Sequence, residues 1–269
     1  MKKIWSAKDP RLARYGEWAL VTGASSGIGR ATAGALAAEG LNVVLIARRR
    51  GELEAWGAEL SARFGVKTMA LAIDLAQPEA AAAIDASTAE LNVGLLVAAA
   101  GFGTAGSFLE ADLAPEEEML AVNCRSVLQL SHRFGRRFAA QGRGGIILFG
   151  SLVGYQGTPR AAHYAATKAY VQSLAEALHV ELAPKSVDVL ASAPGPVRSG
   201  FGDRARMVMG AAETPEAVAQ ATLAALGRSM TVTPGVLSKL LTWSLMTAPR
   251  ALRVRIMAKI MGGMTAHLA

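Results

Sequence analysis

In the segment HYAATKAY, residues 163–170, Tyr164 and Lys168 stand four residues apart with only Ala165, Ala166 and Thr167 between them. On a helix that spacing puts both side chains on one face. A free phenol titrates near pH ~10, so at neutrality it is a poor base but a usable proton donor. A neighbouring ammonium stabilises the phenolate and lowers that value. The pair can therefore serve as a proton-transfer device, although a Tyr-x3-Lys spacing also fits any helix face. Tyr170 lies two residues beyond the lysine, points elsewhere and reads as packing or interface. His163 brings no metal-ligand spacing and reads as structural, and no metal site is expected. Ser151 closes the apolar run IILFGS thirteen residues before Tyr164, and Asn123 lies earlier, in MLAVNCRSV. Open α/β sheets gather their ligands at the C-terminal ends of strands, which draws Ser151 into the same group.

A second group is LVTGASSGIGRA, residues 20–31. It follows an apolar run and opens a helical one. Gly23, Gly27 and Gly29 let the backbone turn tightly and approach a ligand, with Ser25, Ser26 and Ile28 between them. The free N–H groups and dipole of a helix start suit a diphosphate. After the second apolar run come Ala47, Arg48, Arg49 and Arg50. A carboxylate at that point would bind a ribose 2′-hydroxyl and repel a 2′-phosphate, whereas a guanidinium pairs with the phosphate. Arg50, and in part Arg49, also fits the solvated start of the next helix.

These groups need a scaffold, and the chain has one. Apolar runs at 18–22, 42–47, 67–73, 94–100, 145–150 and 187–192, with a weaker one at 230–233, read as strands. Between them, segments 28–39, 52–63, 79–89, 115–140, 161–183 and 215–226 suit helices. Such alternation predicts a parallel sheet covered on both faces. The expected class is α/β, a Rossmann-type doubly wound parallel sheet of about seven strands with a helical C-terminal extension. The expected organisation is an N-terminal extension over 1–17, a catalytic domain over 18–234 and a basic helical extension over 235–269, packed on the same domain.

In its motifs the chain resembles the classical short-chain dehydrogenases/reductases. TGASSGIG has the Gly-x3-Gly-x-Gly spacing of their cofactor signature, and the order of motifs from about Trp18 to Gly235 is similar to that family. The resemblance implies a Rossmann-type oxidoreductase with NADP(H) as cofactor. It implies a catalytic tetrad of Asn123, Ser151, Tyr164 and Lys168. In that tetrad Tyr164 donates the proton, Ser151 orients the carbonyl oxygen, Lys168 lowers the tyrosine pKa and holds the nicotinamide ribose, and Asn123 positions a water. It assigns Asp74 and Leu75, in IDLA, to the adenine edge, with capping of the next helix as the structural alternative for Asp74. It places Pro194, Gly195, Val197 and Ser199 beside the nicotinamide, and Ser25 near the 2′-phosphate. Where the family commonly has Asn-Asn-Ala-Gly, this chain has Ala98, Ala99, Ala100 and Gly101. The small residues leave room for the cofactor, and the hydrogen bonds of the missing amides are left open.

Composition sets the remaining bounds. Of 269 residues, 52% are hydrophobic and 18% charged, so a packed core is expected rather than disorder. No apolar stretch reads as a transmembrane helix, and the basic start lacks the apolar core of a signal peptide. Cys124 is the single cysteine, a packed thiol with no disulfide partner. The expected location is cytoplasmic. The net charge of +7 sits at the ends, and after Glu216 come only Arg228, Lys239, Arg250, Arg253, Arg255 and Lys259. No basic stripe interleaved with aromatics suggests a nucleic-acid partner.

The tail reads as two helices split at Pro249, with Leu237, Leu241 and Leu245 on one face and Leu252, Ile256 and Ile260 on another. It packs on the domain or a partner subunit, forms a lid over an apolar substrate, or touches a membrane surface weakly and peripherally. Phe102, Leu152, Met207 and Met209 are candidate substrate contacts beside Ser151 and Tyr164, and Met246, Met257, Met261 and Met264 extend the same soft apolar character. Arg198, Arg204 and Arg206 can meet an anionic group. The expected substrate is a bulky or apolar carbonyl, acyl- or steroid-like, or the matching alcohol in an NADP-linked dehydrogenase. A nucleotide-sensing protein without catalysis and a membrane scaffold are the readings from other classes. The family resemblance implies a homodimer or homotetramer.

Overall fold

The computed structural model describes residues 12–208, 210 and 212–268. Seven strands form one parallel sheet in the order β3-β2-β1-β4-β5-β6-β7. They are β1 (Trp18–Thr22), β2 (Asn42–Ala47), β3 (Thr68–Ala72), β4 (Val93–Ala98), β5 (Gly144–Phe149), β6 (Val187–Ser192) and β7 (Thr231–Val232). Their apolar runs are continuous because both faces are covered. Along β1, Ala19 and Val21 point into one core layer and Leu20 into the other.

The helices divide accordingly. Helices α1 (Gly27–Ala38), α2 (Arg50–Phe64) and α8 (Pro215–Ala225) bury Leu36, Leu53, Leu60 and Val218 on the first face. Helices α3 (Ala80–Ser87), α5 (Ser126–Gln141) and α6 (Ala162–Leu182) bury Ile84, Phe134, Phe138 and Val171 on the second. The strand order reverses between β1 and β4, which opens a crevice at their C-terminal ends. The remaining helices are α4 (Leu113–Leu120), the short α7 (Phe201–Ala205), and the tail helices α9 (Val236–Met246) and α10 (Arg250–Met264).

Several expectations are corrected. The long helix expected over 115–140 is broken by a π-helical turn, Ala121–Arg125, between α4 and α5. A π-turn adds a residue to the helical repeat and is common where function demands it. The fourth strand ends at Ala98 rather than residue 100, because Ala100 N–H leaves the ladder and donates to Thr22 Oγ1 at 3.0 Å. That hydroxyl ties β1 to the segment after β4. The seventh strand has only two residues. Leu12 and Tyr15, assigned to an extension, are buried in the core, and Tyr15 Oη donates to Asp188 Oδ2 at 2.7 Å.

Candidate active site

The crevice opens into one cavity of about 720 Å³ that runs from the glycine loop to the tail helices. At one end Gly23 adopts a φ of +68°, and a Cβ there would come within 2.9 Å of the Ala100 backbone. A Cβ on Gly29 would lie 2.4 Å from the Gly23 carbonyl oxygen. Only glycine fits either place. Ser26, at the N-cap of α1, makes no side-chain cap hydrogen bond, so the first N–H groups of the helix remain for a ligand. Ser25, Gly27 and Ile28 line the same end.

The arginines after β2 separate. Arg48 and Arg49 line the cavity, while Arg50 turns out to Glu54 at 3.5 Å. Arg49 donates to Ser25 Oγ at 3.3 Å and pairs with Glu52 at 2.7 Å. No acidic residue occupies the end of β2, where Ala47 stands. This donor set fits a phosphate on a ribose better than a free hydroxyl. Asp74 and Leu75 also line the cavity; Asp74 Oδ1 accepts from Ala76 N–H at 3.0 Å in the turn that precedes α3, whose N-cap is Glu79, so Asp74 does not cap that helix.

Ser151, Tyr164 and Lys168 meet at the middle of the cavity. Ser151 follows β5 and caps a short 3-10 turn; Tyr164 and Lys168 lie on α6. Burial pushes the Tyr164 hydroxyl well above its ordinary range, and the hydrogen bond from Ser151 opposes that shift. Burial pushes the Lys168 ammonium down to about 8. Lys168 Nζ donates to the Phe149 carbonyl at 2.8 Å and stands 5.8 Å from the centre of the Tyr164 ring. The expected lowering of the tyrosine by Lys168 is therefore not what this geometry gives. The ammonium bonds to β5, and removal of the phenol from water dominates.

Asn123 is on the π-turn, buried, and outside the residues that line the cavity. Its Oδ1 accepts from Phe102 N–H at 3.1 Å, and its Nδ2 donates to the Phe102 carbonyl at 2.9 Å and to Thr167 Oγ1 at 3.0 Å. The amide thus clamps the segment after β4 to α6 with its own side chain. A Cβ on Gly101 would reach Asn123 Oδ1 at 3.0 Å and Lys168 Nζ at 3.4 Å, so glycine keeps that space clear. Ala99, Ala100, Pro194, Gly195, Val197 and Ser199 all line the cavity as expected.

The apolar end is built largely by the tail. Met257 and Met261 are buried there, joined by Met264, Leu241, Leu245 and Ile260. Phe102, Leu152 and Met207 also line it, whereas Met246 is exposed and outside it. Met209 lies outside the described residues. Of the loop arginines, Arg204 alone reaches the cavity, stacked 3.5 Å from the centre of the Phe102 ring; Arg198 and Arg206 do not.

Sequence reasoning missed four residues. Glu118 accepts from Arg48 at 3.3 Å and from Arg204 at 3.2 Å, linking two sides of the crevice. Phe201 packs on Tyr164 at 5.3 Å between ring centres. Glu116 Oε2 lies 2.7 Å from Nδ1 of His163, which anchors the residue beside the tyrosine to α4. Ser238 is seated against Gly195. None follows a sequence motif, and each contact joins segments distant in the chain.

Comparison with known proteins gives the same site a context. The short chain dehydrogenase family model matches residues 17–207. A 7beta-hydroxysteroid dehydrogenase of Collinsella aerofaciens is 32% identical over 239 residues, covering 84% of this chain and 89% of that protein. A very-long-chain 3-oxoacyl-CoA reductase of Podospora anserina is 35% identical over 188 residues, 67% of this chain and 55% of that protein. Among solved structures, a short-chain dehydrogenase from Sphingobium yanoikuyae in complex with NADPH superposes with a TM-score of 0.80 at 30% identity, covering 88% of this chain and 95% of that one.

Proposed function

Because the chain belongs to the short-chain dehydrogenase family, we propose that it is an NADPH-dependent reductase of a bulky, apolar carbonyl. The observation that carries this reading is the meeting of Ser151 and Tyr164 hydroxyls with the apolar tail residues in the one cavity that also holds the glycine cradle. The bound cofactor supplies the hydride. The start of α1 holds its diphosphate, Ser25, Arg48 and Arg49 its 2′-phosphate, and Asp74 and Leu75 its adenine. Tyr164 and Lys168 hold the nicotinamide ribose, with Pro194, Gly195, Val197 and Ser199 beside the ring.

The chain's own chemistry is proton transfer. Ser151 donates to the carbonyl oxygen and orients it. Tyr164 hands its proton to the same oxygen as negative charge develops there. A phenol held above its ordinary pKa is protonated at neutral pH and so carries the proton it has to donate. Phe201, packed on the tyrosine ring, and the tail methionines exclude water from that proton.

The relatives act on steroids and very-long-chain acyl groups, by their names, and the methionine-rich end of this cavity supports a substrate of similar bulk. The same reading takes the chain as one catalytic domain whose tail forms the substrate wall. It takes it also as a cytoplasmic homodimer or homotetramer with a weak peripheral membrane contact through the tail. Titration with NADPH and NADH, followed by ketones of rising apolar size, tests the proposal. NADPH preference and a kcat/KM that climbs with apolar bulk are expected; no oxidation of NADPH with any bulky ketone overturns it.

A further inference from the structure

Helix α10 is apolar on two sides. Met257 and Met261 face the core, while Leu252, Ile256 and Ile260 face out and are exposed. Helix α9 repeats the pattern. Ser238 is buried against Gly195, and the opposite side presents Val236, Leu240 and Trp243, exposed by 83%, 59% and 70%. Exposed apolar surface of this density marks an interaction site.

The apolar surface continues into the active-site cavity. Leu237, Leu241 and Leu245 follow one another at single turns along α9; the first is exposed outside the cavity and the other two line it. Along α10 the exposed Ile256 leads in the same way to Ile260, which lines it. The cavity lining is therefore continuous, through Leu237 and Ile256, with exposed apolar surface on both helices.

Charge identifies what covers this face. Lys239, Arg250, Arg255 and Lys259 are exposed on the two helices, and no Asp or Glu follows Glu216 in the chain. A second copy presenting the same face would set these cations against its own with no tail carboxylate to meet them, which disfavours self-association through this face. A surface that offers anions at its edge and hydrocarbon behind them suits both features, and tryptophan prefers that boundary. Among the described residues no helix is long and apolar enough to cross a membrane.

We infer that α9 and α10 dock the protein on the surface of an anionic lipid bilayer through Val236, Leu240, Trp243, Leu252 and Ile256 with their flanking cations, so that apolar substrate passes from the bilayer into the cavity mouth. This deepens the peripheral contact proposed above. Docking stands on exposure and charge alone; delivery of substrate rests also on the carbonyl reductase reading.

Co-sedimentation of the full chain with vesicles tests it. The protein sediments with vesicles of phosphatidylcholine and phosphatidylglycerol, releases in high salt, and stays in solution with phosphatidylcholine alone. Leu240→Glu/Trp243→Glu lowers the bound fraction about tenfold or more. Lys239→Gln/Arg255→Gln/Lys259→Gln, which leaves the apolar face intact, lowers it about fivefold per charge removed. Both variants keep the parent's NADPH-dependent turnover of a water-soluble ketone without vesicles and its mass by size exclusion. Absence of vesicle binding, binding indifferent to lipid charge, or a Leu240→Glu/Trp243→Glu protein that changes mass but binds vesicles as before overturns the inference. Vesicle binding with no NADPH oxidation leaves docking in place and removes the enzymatic reading, so the two failures are distinguishable.

Discussion

Ser238 of α9 touches Gly195 so closely that a Cβ on the glycine would stand 2.4 Å from the serine hydroxyl. This contact seats the tail against the segment after β6 and sets how far α9 closes over the cavity. Gly195→Ala is expected to push the helix out, cost about 1–3 kcal/mol of stability and raise KM for a bulky ketone. Gly195→Ala/Ser238→Ala removes the clash and recovers most of both losses. Thermal unfolding and steady-state kinetics on the two variants check this; equal damage in the double variant refutes the contact's role.

Tyr164→Phe removes the proposed proton donor and leaves the ring packed on Phe201. Turnover is expected to fall by about 100-fold to 10,000-fold, the usual range for loss of general acid catalysis. Affinity for NADPH, read by its fluorescence, changes far less. Undiminished turnover would falsify the proposed mechanism.

Arg48 and Arg49 are the two arginines after β2 that line the cavity. Arg48→Asp is expected to weaken NADPH about 10-fold to 100-fold, the value of a charge-assisted hydrogen bond. It also withdraws a cation from Glu118. NADH affinity stays within about threefold on the same scale, so equal losses for the two cofactors argue against a 2′-phosphate site.

Burial lowers Lys168 from 10.5 to about 8, so its charge is present below that pH and lost above it. If the ammonium holds the nicotinamide ribose, kcat/KM for NADPH falls as pH rises through about 8, and Lys168→Met flattens that limb. Unfolding is not the cause. Between about 8 and 10.5 the unfolded chain keeps a proton at this lysine that the folded one has released, so this group's contribution to stability rises with pH. A pH-rate profile paired with denaturant unfolding at each pH separates the two effects.

Asn123→Ala deletes the bonds to Phe102 and Thr167 and leaves the Phe102 N–H and carbonyl buried without that partner. A loss of about 1–3 kcal/mol is expected for each such group. The melting temperature therefore falls together with turnover. A change in turnover alone points instead to a role in proton movement.

Much of this molecule was legible in one dimension because its signals are local. Strand–helix alternation, the spacing of Gly23, Gly27 and Gly29, the arginines after β2 and the turn from Tyr164 to Lys168 each depend on residues near one another in sequence. Backbone sterics and helical periodicity determine them without reference to the rest of the chain. Tertiary structure decided what depends on packing. It turned Asn123 toward Phe102 on a π-turn, sent Lys168 to the Phe149 carbonyl, joined Arg48 to Arg204 through Glu118, and brought Met257 and Met261 over the site while leaving Met246 outside. The direction of the Tyr164 shift belongs to this second group. A sequence shows that a cation stands one turn away, but how much water remains around the phenol is known only when α6, α7 and the strand ends have closed around it.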